Sequence, residues 1–548
     1  MFREVHLRLF SNKFSRPLTA ILAITLLMSH LPLFMSRRSM FVPSECLPPL
    51  EAHLHTPEHS ESLIFMRSFG DDDLVRSSTE EGLVFVRGEL LVTGELWATY
   101  DAMSAAIAEL GGEIVGFLEL ANVFQVYFPH AHDEQILAEI LEALSIHPLV
   151  YDTCKHFVFS TNMSSVPTSA PPRRIGPIFG SLFRPFDIFN RDRAPRRPAN
   201  LDNQQQWGMI AINAPAAWPH ADTLGSISIG ILDTFFEDHH HLGDESRPFT
   251  LFGNNVAEGE SVFTRQHGNQ VAGIIGSLNP DRPGLVWNRR LYGYSLYGSR
   301  VSDNVTHLGQ GHYLSVLQYK HALASLFAHD VRLINVSIYH PYCIEMGLNR
   351  PPTWHTLSNS LANFLHRYLS MGQEFLIVQA AGNSSNREVY GTRGQWIDAS
   401  YASFFASIDN DTHPEIHDRI IVVGNMMRLS GLVPVFYGIS GRSQIGPRVD
   451  MFAPGDTNVS TTLNNGYNWF AGTAASAPHV TGVAAMVWAE NSTLTGSQVR
   501  DILRQNYNQR FGHIYLTEPG FSPTPDGRSY PVLDAYRALQ AARATSPC

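Results

Sequence analysis

Lysine is nearly absent from this chain of 548 residues: Lys13, Lys155 and Lys320 are the only three. Arginine carries the positive charge instead, yet the net charge is −11 and no basic stripe offsets it. That balance argues against a nucleic-acid-binding surface. Cysteine is scarce as well. Cys46, Cys154, Cys343 and Cys548 lie far apart and lack the short spacings of a zinc site. Three pairings are open to them after export, and so is no pairing at all. Only 16% of the residues are charged while 44% are hydrophobic, which excludes a disordered chain and implies a large core.

A clear small-x-small cleavage site is missing from the N-terminus, although the other parts of an export signal are there. Arg3, Arg8, Lys13 and Arg16 precede an apolar run over residues 18–35, interrupted by Ser29, His30 and Pro32. Residues 1–40 therefore read as a signal peptide or a signal anchor. The run reaches the lower limit for a bilayer span, and the basic tail would stay inside. The rest of the chain is expected to be secreted, or held outside the cytoplasm by residues 18–35.

Residues 41–82 are polar and acidic, with Asp71-Asp72-Asp73 and Glu80-Glu81, and read as a flexible linker. The texture changes at Leu83. Residues 83–160 give the order β-α-β-β-α-β, with helices over 100–110 and 134–144, a compact α+β unit. Residues 161–200 are rich in Pro, Ser and Arg and form a second linker, with Arg173-Arg174 and Arg196-Arg197 as cleavage points for another protease. Across 201–545 apolar strands near 226–232, 290–296, 332–336, 375–380 and 420–424 alternate with helices at 267–276, 312–328, 356–371, 474–488 and 497–506. Such a pattern implies an α/β fold, a doubly wound, mainly parallel sheet covered on both faces. The 343–356 and 390–419 stretches read as surface insertions. His239-His240-His241 looks like a metal cluster, but neighbouring side chains are expected to diverge, so it reads as a solvated loop and no metal ligand is assigned.

Ligands of such sheets bind at the carboxyl ends of strands, where chemistry-bearing residues recur. Ser226-Ile227-Ser228-Ile229-Gly230-Ile231-Leu232 ends in Asp233, and Val378-Gln379-Ala380-Ala381 ends in Gly382-Asn383. Between them stands His267-Gly268-Asn269-Gln270-Val271-Ala272-Gly273. Downstream, Gly472-Thr473-Ala474-Ala475-Ser476-Ala477-Pro478-His479-Val480 opens a helix. In this order the segments resemble the subtilisin-like serine proteases (peptidase S8, subtilases), whose last motif reads Gly-Thr-Ser-x-Ala-x-Pro-His-Val. Gln206-Trp207-Gly208-Met209-Ile210 resembles the entry to that domain, residues 448–455 the segment before its serine loop, and residues 532–536 its terminal helix. The 83–160 unit resembles the inhibitory, chaperone-like propeptides that precede it.

The resemblance implies roles residue by residue. Asp233 orients His267, His267 is the general base, and the Asn383 amide donates to the oxyanion, a donor worth roughly 10²–10³ in rate. Ser337 and Tyr339 in Asn335-Val336-Ser337-Ile338-Tyr339, with Gly382, would meet substrate backbone; Tyr339 replaces an expected glycine and would crowd that groove. Ala474 stands where the nucleophilic serine belongs, and a methyl group cannot attack a carbonyl. Ser476 lies two residues further along a helix, turned by roughly 200° and raised by roughly 3 Å, so it points to the other face. No cofactor is required for the chemistry; structural calcium, common in the family, cannot be placed on this sequence.

The expectation is an exported pseudoprotease that binds a peptide or protein ligand, or its own propeptide-like domain, and no nucleic acid. Without a nucleophile the chain cannot cut its own linker, so the small domain is expected to stay attached. The alternative is an active serine endopeptidase, through Ser476 or because Ala474 substitutes the serine of an active parent. A third class is a purely structural envelope protein.

Overall fold

The structure, a computed structural model, describes residues 64–545 apart from a few single positions and the stretches 80–82, 162–205, 222–224, 253–261, 297–311, 339–353, 384–397, 430–435, 510–512 and 515–527. The N-terminal export segment, most of the second linker, Tyr339, Cys46, Cys343 and Cys548 lie outside the described residues. Ser62–Cys548 forms one compact unit. Among the described residues no helix is long and apolar enough to cross a membrane.

Two sheets organise it. The smaller begins with β1 (Ile64–Phe65) and β2 (Leu74–Arg76), followed by β3 (Val84–Gly94), α1 (Tyr100–Glu109), β4 (Glu113–Leu118), β5 (Val123–Tyr127), α2 (Glu134–Ser145) and β6 (Val150–Thr161). Thr99 and Asp133 cap α1 and α2 by accepting from the N–H groups of Ala102 and Ile136. From β3 to β6 the order is β-α-β-β-α-β. The 41–82 stretch is not a linker throughout: β1 pairs with β4 and β2 with β3. Phe69 is buried there, packed edge-on against His156, so apolar residues hidden among acidic ones hold this segment in place.

The larger sheet contains β7 (Ile227–Asp233), β8 (Phe249–Phe252), β9 (Arg289–Ser295), β11 (Leu333–Val336), β12 (Leu376–Ala380), β13 (Ile420–Leu429), β14 (Phe436–Ile439) and β15 (Met451–Pro454). Its order is β14-β13-β12-β11-β7-β9-β8, with β15 beside β13. Every pairing is parallel except β13 with β14. Both faces are covered, which explains the continuous apolar strands. Ile334, Val336, Ile377, Ile420 and Val422 face one cluster, while Leu333, Val378, Ala380, Ile421 and Val423 face the other. The helices around it are α3 (Val262–Gly276), α4 (Val316–Phe327), α5 (Trp354–Ser370), α6 (Thr473–Glu490), α7 (Gly496–Gln505) and α8 (Ala535–Thr545). α6 is buried along almost its whole length, through Trp488.

One expected helix is partly a strand. His312–Ser315 forms β10, antiparallel to residues 158–161 of β6, and so extends the small sheet into the large domain. The helix begins only after Ser315, where a capping box with Gln318 starts α4. β6 also lies across α4 and α5. Asp152 reaches into that contact, accepting from Asn363 Nδ2 at 3.0 Å and Ser360 Oγ at 3.1 Å, with Lys320 Nζ at 3.5 Å. Nor is all of 390–419 a surface insertion: Phe404 and Phe405 are buried edge-on against Tyr319.

Candidate active site

β7 lies between β9 and β11, where the chain's crossovers change direction, and its last residue is Asp233. This is the carboxyl-end crevice at a switch point that such sheets offer to ligands. Asp233 is fully buried, and its Oδ1 accepts from the Thr234 N–H at 2.8 Å. The same oxygen lies 2.6 Å from Nδ1 of His267, in α3. A carboxylate only accepts, so Nδ1 carries a proton and is turned to Asp233, which leaves Nε2 as the nitrogen directed elsewhere. Gly268 allows this approach: a Cβ there would sit 2.4 Å from the Phe235 carbonyl oxygen. Phe470 packs edge-on against the imidazole, 5.2 Å between centroids.

Asn383 follows β12. Its Oδ1 accepts from the Thr473 N–H at 2.9 Å and from the Thr473 hydroxyl at 3.1 Å. Because an N–H must meet an oxygen, this pair fixes the amide orientation and turns Nδ2 the other way. Gly472, at φ +111°, lies against that amide: a Cβ on it would meet Nδ2 at 3.0 Å. Gly382 contributes through its backbone, its N–H donating to Thr473 Oγ1 at 3.1 Å.

Ala474 is the second residue of α6 and nearly buried. Its carbonyl accepts from Ser337 Oγ at 3.0 Å, and Ser337 in turn accepts from Asn335 Nδ2 at 2.9 Å. Ser337 is thus spent on the backbone of the motif, with its own side chain buried. Ser476 is engaged with its own helix start and a neighbouring strand end. Its Oγ bonds back toward the Gly472 carbonyl at 3.5 Å and abuts Gly455, where a Cβ would come within 2.1 Å of it. His479, the motif's other histidine, is buried with Nδ1 2.8 Å from the Ala475 carbonyl. Burial pushes its pKa down to about 4, against that bond, so the ring stays neutral.

The structure therefore pairs Asp233 with His267 at the end of β7, and ties Gly382 and Asn383 to Thr473 and Ser337 to Ala474 at the start of α6. It adds a role for Thr473, which the sequence matches to the threonine of the Gly-Thr-Ser motif without assigning it one. The same segments match known proteins. The sequence profile of the Subtilase family (peptidase S8) matches residues 225–521, more than half of the chain. The chain belongs to the subtilase family.

Alkaline elastase YaB of Bacillus sp. (strain YaB) is 26% identical over 301 residues, which is 54% of this chain and 64% of the elastase. The chain thus spans less than two thirds of that relative's length. Subtilisin Savinase of Lederbergia lenta is 26% identical over 307 residues, 54% of this chain and 89% of that protein. Among solved structures, fervidolysin from Fervidobacterium pennivorans, a keratinolytic enzyme related to subtilisin, superposes with a TM-score of 0.53. At 17% identity, covering 88% of this chain and 64% of fervidolysin, that likeness speaks for the fold. The fold is accordingly α/β and subtilisin-like.

One reading of the sequence is corrected near this site. The residues 239–241 do not form a solvated loop with diverging side chains. His239 is buried, and one ring nitrogen from each of His239, His240 and His241 lies within 4.8 Å of the other two.

Proposed function

We propose that this subtilase is an exported pseudoprotease, silenced at position 474, that binds a peptide or protein ligand. The observations that support the reading are the 2.6 Å contact between Asp233 and His267 and the Asn383 amide fixed by Thr473, in a chain whose motif carries a methyl group at position 474. His267 is held by Asp233 through Nδ1 as a general base would be, but position 474 offers no hydroxyl to deprotonate. Oxyanion donors and binding alone leave roughly 10³–10⁴ over water in such sites, negligible against peptide bonds. A protein partner, such as a segment of another protease, would use the cleft as a binding surface.

The small domain is the nearest ligand. An uncut chain follows from the missing nucleophile, and the β6–β10 pairing with the Asp152 contacts supports a docked, retained domain. Protein purified from its secretion host should run as one chain across residues 161–200. A sharp autolytic N-terminus would overturn this.

A second reading rests on the same intact dyad: Ala474 replaces the serine of an active endopeptidase, in which Asp233 orients His267, His267 deprotonates the serine and Asn383 holds the oxyanion. A fluorophosphonate probe read by intact mass, on the native chain and on Ala474→Ser, separates the readings. Labelling of the Ala474→Ser variant alone supports a poised, silenced scaffold. Labelling of the native chain overturns it. Labelling of neither points to a structural role without a working cleft.

A further inference from the structure

The loop that leaves Asp233 carries three consecutive histidines, and the fold gathers what adjacency in sequence would scatter. A tight turn closes it, the Leu242 N–H donating to the His239 carbonyl at 2.8 Å. The rings of His239 and His240 are nearly parallel with centroids 4.9 Å apart, and those of His240 and His241 are 3.9 Å apart. The loop is braced by the hairpin of β16 (Asn458–Thr461) and β17 (Tyr467–Phe470). Asn464 and Asn465 both hold φ near +57° at its tip, the twist that suits a tight hairpin turn. Asn465 Oδ1 accepts from the His240 N–H at 2.9 Å.

His239 and His241 each have one ring nitrogen directed at an outer partner. His239 Nε2 lies 3.1 Å from the Gly466 carbonyl, so that nitrogen carries the proton and Nδ1 keeps its lone pair. That Nδ1 now accepts from the His241 N–H at 3.1 Å. His241 Nδ1 lies 2.6 Å from the Tyr467 hydroxyl, which accepts from Asn279 Nδ2 at 2.8 Å, with the Arg282 guanidinium 5.0 Å from the Tyr467 ring centroid. Histidines that ligate metals generally direct their other nitrogen to a carbonyl or similar partner in this way, which fixes the ring and its tautomer.

We propose that His239, His240 and His241 form a binding site for a divalent transition ion of the Zn²⁺, Ni²⁺ or Cu²⁺ class. His239 would offer Nδ1, exchanging its bond from the His241 N–H; His241 would offer Nε2; exposed His240 would close over the ion and leave a fourth position to water. Three nitrogens on a tetrahedral ion at Zn–N of about 2.0–2.1 Å stand about 3.4 Å apart, so the candidate donor atoms, now within 4.8 Å of one another, must draw closer around the ion. Imidazole donors suit these ions, and the triad contains no carboxylate, so the hard ions Ca²⁺ and Mg²⁺ are poor fits. The bound ion would brace the loop after Asp233 against the hairpin that leads into Gly472 and Ala474, and the inference stands whether or not the site is hydrolytic.

The test uses the untagged full chain, stripped with EDTA and dialysed. Zn²⁺ is titrated by calorimetry, and Co²⁺ by visible absorption. Expected are one equivalent bound with micromolar or tighter affinity, a tetrahedral Co²⁺ spectrum, and a melting temperature that rises until the site is full. His240→Ala, at an exposed position, should weaken binding at least tenfold. Tyr467→Phe keeps the ring but removes the outer partner of His241 and should weaken it severalfold. His130→Ala, an exposed histidine of the small domain, should leave it unchanged. No saturable heat, an unchanged affinity in His240→Ala, or equal competition by Ca²⁺ would overturn the site.

Discussion

Thr473 holds Asn383 by two hydrogen bonds, one from its backbone N–H at 2.9 Å and one from its hydroxyl at 3.1 Å, both ending on Asn383 Oδ1. The hydroxyl also accepts from the Gly382 N–H, so one side chain ties the end of β12 to the start of α6. An oxyanion donor is effective only when its direction is fixed before the charge develops. In an Ala474→Ser background, Asn383→Ala should therefore slow fluorophosphonate labelling by roughly 10²–10³. Thr473→Val keeps the shape and the backbone bond but frees the amide to turn, and should slow labelling by about tenfold, a smaller share of that donor's effect. Equal rates with and without the Thr473→Val substitution would show that the backbone bond suffices.

Ser476 provides the complementary control. Its hydroxyl is directed at the Gly472 carbonyl and lies against Gly455. In the Ala474→Ser background, Ser476→Ala should leave the labelled mass and the labelling rate unchanged. Stability should change by about 1 kcal/mol or less, the net worth of one long hydrogen bond. Loss of labelling in this double variant would make Ser476 a participant.

Asp233 and Asn383 were legible in the sequence because each follows an apolar strand, the end where α/β sheets hold their chemistry, and His267 because small, glycine-spaced residues follow it, although its helix begins at Val262, before the expected 267. The parallel sheet was legible for a related reason: strands such as Ile420–Val423 are apolar on both faces. Three features were not. His312–Ser315 is as suited to a helix as to a strand, and its partner in β6 lies about 150 residues earlier, so pairing decides its form. The positioning role of Thr473 exists only once β12 and α6 meet. The histidines of 239–241 converge because a turn and a neighbouring hairpin hold them, which spacing along the chain cannot reveal.

The contact between the small sheet and α4 and α5 centres on Asp152. Lys320 is fully buried beside it, with Thr93 Oγ1 at 3.4 Å as a second partner. Asp152→Ala would leave that ammonium in the interface without its carboxylate and also release Asn363 and Ser360. Removing one member of a buried ion pair costs about 3 kcal/mol or more. Urea unfolding should register a loss of that size, and amide exchange across the β6–β10 pairing should accelerate. Unchanged exchange there would mean that apolar packing alone docks the small domain.

Glu134, the first residue of α2, holds the segment before β3 to the small domain. Its Oε1 meets Lys155 Nζ and Ser77 Oγ at 2.5 Å each, and its Oε2 accepts from the Ser78 N–H at 2.6 Å. Burial raises its pKa, but the bonds from Lys155, Ser77 and Ser78 outweigh that and hold the carboxyl far below the usual carboxylate range. A depressed folded-state pKa contributes stability that is complete above the unfolded value, near 4.5, and is lost as pH falls from there toward the folded value. Glu134→Gln should thus be destabilising at pH 7, because Lys155 loses this carboxylate in a nearly buried site. The gap between wild type and Glu134→Gln in unfolding free energy should hold from pH 7 to about 5 and narrow steadily toward pH 2.5. A gap independent of pH would mean that Glu134 contributes shape and hydrogen bonds rather than charge.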